Sequence, residues 1–576
     1  MKICLLFTFI VLVFPKQLEA SPVISVNQVG YDVGTSKQAI LTSGLSDGGI
    51  KEFYIISVST GKTVFTGIVL PVNGFDNWGK KRYYKMDFSS FNKTGRYYLA
   101  TKGHWIAKSP VFEIDNNLLA RKTLPALAHY FRNQRANTLI ETENDKNIPL
   151  FGSEKTVDLA GGWCDASGDV SKYFSHLAYS NFFSPQQIPL VTWALADAAE
   201  KMPTLLKQLN LTDSIQDEAR YGADYLLKSL SEDGYFYMIV FSYFNKDPKA
   251  RRVVGLLANS VTTDEYQCAF REGAGMAIAT LAKMSRWNSI DGYRRRQYLR
   301  GAERAFSYLL VNNRKFCDDG KENIIDDYCL LMAACELFEA TGNRSYLEQA
   351  RLSATNLENR LTSRGYFISD DKDRPYYHAS DAGMPLTALK RYIEIERDKK
   401  RLLVARAAIE RNLRYQFKIT REVSNPFGYA RQTFKFQEKI IDSFFIPHQN
   451  ETGWWWQGEN ARLASLASAA IASGMGKESQ RYGMDQINWI LGLNPYQVCF
   501  MYGLGTNNVP YMASNYGHGS RRGGISNGIT GLESDQAGFG IDFKEKADGN
   551  EWRWTEQWLP HAAWFLQAIT TMKSEK

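Results

Sequence analysis

Seven cysteines and seven histidines are few for a chain of 576 residues. No CxxC pair occurs and the histidines are scattered without metal-ligand spacing, so no zinc centre or other metal site is read from the sequence. The dense cysteine pattern of a disulfide-stapled miniature domain is also missing, and a chain this long can rest on its hydrophobic core instead. A concentrated basic stripe is absent too, which argues against nucleic acid as a partner. Only one long apolar run is present. Ile3 to Phe14 follows Met1-Lys2, is too short to span a bilayer, and leads to Ala20, a small residue suited to cleavage before Ser21. Residues 1–20 therefore read as a signal peptide and predict export to the periplasm or beyond, with no transmembrane segment. Cleavage lowers the formal charge of +8 by one and leaves Cys164, Cys268, Cys317, Cys329, Cys335 and Cys499. One or two disulfides are compatible with export, but the spacing favours buried free thiols.

What remains is ordinary soluble protein, 44% hydrophobic and 23% charged, long enough for two domains. Aromatic residues reach 13%, with 13 Trp and 31 Tyr. Such rings serve large core layers or the apolar faces of sugars equally well. The positive charge allows an anionic glycan but more often reflects solubility.

From residue 21 to 116 the pattern is β. The runs Val23–Val29, Gln38–Leu41, Phe53–Val58, Val64–Val69, Tyr83–Phe88 and Tyr97–Ala100 are β-branched and aromatic, and turns separate them at intervals of roughly ten residues, as in a small immunoglobulin-like β-sandwich. From residue 117 to the end at 576 the apolar spacing becomes helical. Alanine-rich stripes cover 211–229, 297–311, 327–340, 346–361, 383–396, 402–416, 460–473 and 481–491, with others around Trp193 and Ile278. Alanine on so many stripes implies close helix-to-helix approach. A dozen helices with long connections suit an (α/α)6 barrel better than a bundle with short loops.

Chemistry concentrates in two segments. Asp158-Leu159-Ala160-Gly161-Gly162-Trp163-Cys164-Asp165-Ala166-Ser167-Gly168-Asp169 puts Asp165 and Asp169 close together among glycines and aromatics, and paired carboxylates handle a proton, a metal or a water. The stretch Leu491 to Trp554, which includes Tyr516, His518, Arg521 and Arg522, is aromatic and not helix-like, so it reads as a functional loop. Beyond it, Pro560 predicts a final helix beginning near Leu559 or Pro560. Glu556 then lies just outside that helix, between Trp554 and Trp558. It is either a partly desolvated general acid or an exposed glutamate favoured by the helix dipole. The run Trp454-Trp455-Trp456 can stack on sugars or close a helix junction.

Asn27-Gln28-Val29-Gly30-Tyr31, the segment from Gly161 to Tyr173, Phe270-Arg271-Glu272-Gly273, Ile490-Leu491-Gly492-Leu493-Asn494-Pro495 and Tyr502-Gly503-Leu504-Gly505, in this order, resemble glycoside hydrolase family 9, in the branch with an N-terminal immunoglobulin-like domain. That resemblance implies an (α/α)6 barrel with an open cleft that hydrolyses β-linked glucans, most often β-1,4 or of xyloglucan type, with inversion. It implies Asp165 and Asp169 as the water-activating pair, Asp169 being the main base and Asp165 orienting the water. It implies Glu556 as the acid, on the pattern Glu556, Leu559, Ala563 and Phe565, with Glu551 as competitor because it follows Asn550. Trp163, Trp454, Trp455, Tyr516, His518 and Arg521 are the expected substrate contacts, with Arg522 an alternative to Arg521. No cofactor is required; Asp535 and Asp542 can brace their loop, bind a structural calcium or be exposed. Two departures stand out: Ser167 lengthens the usual Asp-Ala-Gly-Asp spacing by one residue, and Cys164 replaces a usual tyrosine. They keep two other readings open, an exo-acting hydrolase of another β-linked glycan, glucosamine-containing or acidic, and a glycan-binding protein without catalysis.

Overall fold

The computed structural model describes residues 21–44, 49–73, 75, 77–79, 81–102, 106–176, 186–257, 260–450, 453–455, 457–513, 522–546 and 551–575. The expected signal peptide at 1–20 and the expected contacts Tyr516, His518 and Arg521 lie outside these residues, as does Trp456.

Eight strands open the chain: β1 (Val23–Ser25), β2 (Tyr31–Asp32), β3 (Gln38–Ser43), β4 (Glu52–Ser57), β5 (Thr63–Val72), β6 (Arg82–Asp87), β7 (Gly95–Thr101) and β8 (Phe112–Asp115). The long β5 makes them a sandwich. Its first half pairs with β4 and its last four residues, Val69 to Val72, pair with β6, so one strand belongs to both sheets. β1 and β3 continue one sheet, β7, β8 and β2 the other. Side chains alternating inward from both, among them Leu41, Phe53, Ile55, Met86, Leu99 and Ile114, fill the space between them. The short β2 and β8, which pair in parallel, escaped the sequence pattern because neither is long enough to show a period.

Among the described residues, twelve longer helices follow: α1 (Leu118–Asn133), α2 (Ile188–Lys201), α3 (Thr212–Lys228), α4 (Ala274–Met284), α5 (Gly292–Phe316), α6 (Ile324–Thr341), α7 (Arg344–Asn359), α8 (Met384–Ile395), α9 (Lys399–Arg421), α10 (Asn460–Ala472), α11 (Lys477–Ile490) and α12 (Leu559–Lys573). The even-numbered helices form a closed inner ring in the order α2, α4, α6, α8, α10, α12 and back to α2. Odd-numbered helices pack outside it, so the fold is the (α/α)6 barrel that the alanine stripes predicted. All eleven residues of α4 are buried, as an inner helix requires, whereas the outer α5 buries only one stripe. Small residues permit the ring: a Cβ on Gly275 of α4 would lie 2.7 Å from Cβ of Cys329 on α6. Among the described residues, Cys164, Cys268, Cys317, Cys329, Cys335 and Cys499 are all buried and free.

The two domains interlock. Gln28 donates from its backbone N–H to the Leu491 carbonyl at 2.9 Å, and its side chain fills the space against Gly492 and Gly505. Asn27 Nδ2 donates to Asn488 Oδ1 at 2.9 Å.

Candidate active site

Asp165 and Asp169 lie in the connection that leads into the N-terminus of α2, and Glu556 in the one that leads into α12, its neighbour in the ring; unpaired N–H groups at helix starts favour negative charge. Gly161 and Gly162 turn the chain with φ of 108° and 75°, and Gly162 lies flat against Tyr225, where a Cβ would come within 3.0 Å of the ring. The loop then folds on itself. Asp165 N–H donates to the Ser171 carbonyl at 2.9 Å and Ala166 N–H to the Asp169 carbonyl at 3.2 Å, which brings both aspartates to one side.

Asp165 is buried and accepts from Gln187 Nε2 at 2.5 Å, at the mouth of α2, and from Trp558 Nε1 at 3.0 and 3.2 Å, just before α12. Asp169 is also buried. One of its oxygens accepts from Ser171 N–H at 2.8 Å and Ser242 Oγ at 3.3 Å, the other from Tyr173 OH at 3.0 Å. His176 stacks on Tyr173 at 4.8 Å and meets Trp558 edge-on at 6.4 Å.

Glu556 arrives from the opposite strand. The segment Ala166–Ser167 runs antiparallel to Gln557–Trp558: Ser167 N–H donates to the Gln557 carbonyl at 2.8 Å, and Leu559 N–H donates to the Asp165 carbonyl at 3.1 Å. On the other side Asn527 N–H donates to the Glu556 carbonyl at 2.9 Å. Asn527 is itself locked by His561 Nε2 at 2.9 Å and by its own donation to the Trp552 carbonyl at 2.7 Å. α12 starts at Leu559 with Pro560 in its first turn, as the proline predicted, so Glu556 lies in extended backbone just outside the helix. The residue is half-buried, with protein atoms packed densely around its carboxyl.

The three acids share one field. Burial pushes the Glu556 carboxyl up to about 8, with the Asp169 charge adding to the shift and a hydrogen bond from Asn527 opposing it. Burial, then Asp169, then Glu556 raise Asp165 well above the usual carboxylate range, against the hydrogen bonds from Trp558 and Gln187. Like charges this close cannot all ionise, so the cluster retains a proton near neutral pH. The three carboxyl groups therefore meet across one strand pairing.

Glu551 has a different setting. It caps a short helix, Trp552–Thr555, and pairs with Lys544. Trp163, expected to touch sugar, is corrected: it is wholly buried, donates to Glu218 Oε2 at 3.3 Å and packs over Gly222. Trp455 is corrected likewise, because it is buried with Tyr377, Phe434, Ile446 and Trp558 beside Ala166 and builds a wall instead of offering a face. Trp454 lies in a short hairpin opposite Gln449. Cys164 points away from the acids and donates to Glu141 Oε1 at 3.3 Å. Asp535 braces its loop by accepting from the N–H groups of Ala537, Phe539 and Gly540, and Asp542 pairs with Arg553. Among the described residues no group of three or more His, Cys, Asp or Glu could hold a metal. Gln187, Ser242 and Asn527 were not anticipated, since each meets its carboxylate across the fold and no local pattern marks it; Tyr173 and Trp558 lay inside the segments already singled out. A cavity of about 530 Å3 between Leu70, Lys85, Arg421 and Asp485 belongs to the domain junction, and none of the three acids lines it.

Comparison with known proteins places the two domains. The cellulase N-terminal ig-like domain model matches residues 19–104. Endoglucanase D of Acetivibrio thermocellus is 23% identical over 516 residues, covering 84% of this chain and 73% of that protein. A xyloglucan-specific endo-beta-1,4-glucanase of Bacteroides ovatus is 24% identical over 380 residues, 57% of this chain and 59% of its own. A metagenome-derived glycoside hydrolase family 9 endoglucanase shares the fold with a TM-score of 0.68 at 18% identity, covering 96% of this chain and 99% of that one. The glycosyl hydrolase family 9 model matches residues 121–534, which include Asp165 and Asp169 and stop short of Glu556. Because that match spans well over half of the chain, this protein belongs to glycosyl hydrolase family 9 and is a glycoside hydrolase.

Proposed function

We propose that the protein hydrolyses β-1,4-linked glucan or xyloglucan-type chains with inversion, using Asp169 as base, Asp165 to orient the water and Glu556 as acid. The observation that carries this reading is the pairing of the two-aspartate loop with the strand of Glu556, which sets a carboxyl pushed up to about 8 against two buried carboxyl groups in one field. In an inverting reaction the base takes a proton from water on one face of the sugar while the acid protonates the leaving oxygen on the other. Glu556 carries the proton this needs at neutral pH. Tyr173, Ser171 and Ser242 aim hydrogen bonds at Asp169, so its lone pairs are held in fixed directions before substrate arrives. Gln187 and Trp558 fix Asp165 in the same way.

The names of the curated relatives support a β-glucan backbone as substrate. The apolar leader supports export, which would bring the enzyme to a polysaccharide outside the cytoplasm; recovered extracellular or periplasmic protein should begin at Ser21. Hydrolysis of cello- and xyloglucan-oligosaccharides followed by NMR tests substrate and stereochemistry together. The α-anomer should form first. Initial formation of the β-anomer, or turnover of neither glycan, would overturn the reading.

A further inference from the structure

The residue that makes the Asp165–Asp169 spacing unusual is also the one that joins the two halves of the site. Ser167 N–H donates to the Gln557 carbonyl at 2.8 Å, and Gln557 N–H returns a bond to Ser167 Oγ at 3.0 Å. In a regular antiparallel ladder that second bond would end on a backbone carbonyl. Here the loop turns away at Gly168, where a Cβ would lie 2.5 Å from Met512 Sδ, and the serine hydroxyl stands in for the carbonyl. Ser167 is itself 1% exposed, so water is a poor substitute.

Gln557 directly follows Glu556. Its outer edge is held by the 525–527 segment, where Trp558 N–H donates to the Ile525 carbonyl at 3.3 Å and Asn527 N–H to the Glu556 carbonyl at 2.9 Å. Its inner edge is held by Ser167. Residues two apart on an extended strand share a face, so the backbone that presents Trp558 to Asp165 also presents Glu556 towards the aspartates. Moving the inner edge would move the acid against the base.

We propose that Ser167 is a positioning residue that sets the separation of Glu556 from the Asp165/Asp169 loop through its paired bonds with Gln557; this rests on the roles proposed above. Its hydroxyl is buried against the Gln557 N–H and so is assigned no direct part in the chemistry. Its effect is on the alignment of proton donation with water attack, where small displacements cost rate steeply.

The test compares Ser167→Ala, which removes the acceptor, with Ser167→Thr, which keeps it, on two substrates. One is a β-linked oligosaccharide, whose alkoxide leaving group needs the acid. The other is the corresponding β-glycosyl fluoride, whose leaving group needs far less protonation. Ser167→Ala should lower kcat on the oligosaccharide by about 10- to 100-fold, with KM within about threefold, and should lower fluoride turnover by much less. Ser167→Thr should recover most of the loss. If the alanine variant does not fold, Ser167→Cys keeps the volume with a weaker acceptor and takes its place. Equal losses on both substrates, no loss, or a threonine variant as impaired as alanine while its thermal unfolding matches wild type would each overturn the proposal. Glu556→Gln is measured alongside. If that variant shows no dependence on the leaving group, the assignment of the acid fails, and the failure is separate from any result at Ser167.

Discussion

Trp558 donates its indole N–H to both oxygens of Asp165, at 3.0 and 3.2 Å, and so ties the segment of the proposed acid to the proposed water-orienting carboxylate. Among the described residues Asp165 has one other side-chain donor, Gln187. Trp558→Phe keeps much of the ring volume and deletes the donor. A hydrogen bond to the charged form of a buried carboxyl is worth roughly 1–3 kcal/mol, so kcat should fall about 10- to 100-fold. Because the Trp558 bond lowers the Asp165 pKa, its loss raises that pKa further. The acidic limb of the kcat profile should therefore move to higher pH. A profile that falls in height without shifting would show that Trp558 acts only by packing.

Glu556 predicts a stability effect opposite in sign to the usual one for a salt-bridged carboxylate. Its folded pKa, about 8, lies above the ordinary 4.5, so between those values the folded state binds more protons than the unfolded state. Stability contributed by this group is complete below about pH 4.5 and is lost as pH rises towards 8. Glu556→Gln cannot ionise. It should therefore abolish turnover of oligosaccharides while melting at a higher temperature than wild type at pH 8–9, with the difference closing near pH 5. Equal Tm values across the range would mean that Glu556 titrates as an exposed glutamate. Wild-type activity should fall through an alkaline limb near pH 8 for the same reason.

How far these features were legible from residues alone depended on the distance over which they act. Pro560 marked the start of α12 correctly because helix initiation is decided within one turn. The alanine stripes identified the barrel because an inner helix, buried on all sides, must be small wherever its neighbours approach closely, as Gly275 does to Cys329. Trp163 and Trp455 misled because a tryptophan has the same composition whether it faces sugar or core, and only the packing of Gly222 or Phe434 against it decides. The oddity at Ser167 was visible as a spacing, yet its partner Gln557 is 390 positions away, so its purpose was not.

The interlocking of the domains gives a third prediction. Gln28 Oε1 accepts from Thr506 N–H at 2.9 Å, Thr506 Oγ1 at 3.2 Å and Asn507 N–H at 3.0 Å, while Gln28 Nε2 donates to the Gln497 carbonyl at 2.6 Å. Gln28→Ala strands these groups and opens a void beside Gly492 and Gly505. It should cost about 2–4 kcal/mol in urea unfolding. Wild type should unfold in one transition, since the sandwich supplies part of the barrel's packing. A variant in which the sandwich melts independently with no loss of activity would show that the junction is not shared structure.

Beneath the aspartate loop lies a buried charge cluster whose roles in stability and activity should separate. Asp145 bonds Lys172 Nζ at 2.6 Å and Arg251 Nε at 2.8 Å, all three side chains being fully buried. Burial alone would push the Asp145 carboxyl up, and the two cations pull it below the usual range. Arg251 also donates to the Val170 carbonyl at 2.9 Å, next to Asp169, and Lys172 donates to the carbonyls of Leu159 and Gly161, before Asp165. Asp145→Asn leaves two buried cations without their shared counter-charge, and should cost about 3–5 kcal/mol. The apolar triple variant Asp145→Leu, Lys172→Met, Arg251→Met should recover much of that stability, because buried ions are expensive to desolvate and apolar groups of similar size are not. It should not recover activity. The carbonyls of Leu159, Gly161 and Val170 lose the donors that hold the loop, so kcat should stay at least about tenfold below wild type even where the melting curves coincide. Recovery of both together would mean that the cluster supports the fold alone and leaves the placement of Asp165 and Asp169 to the backbone.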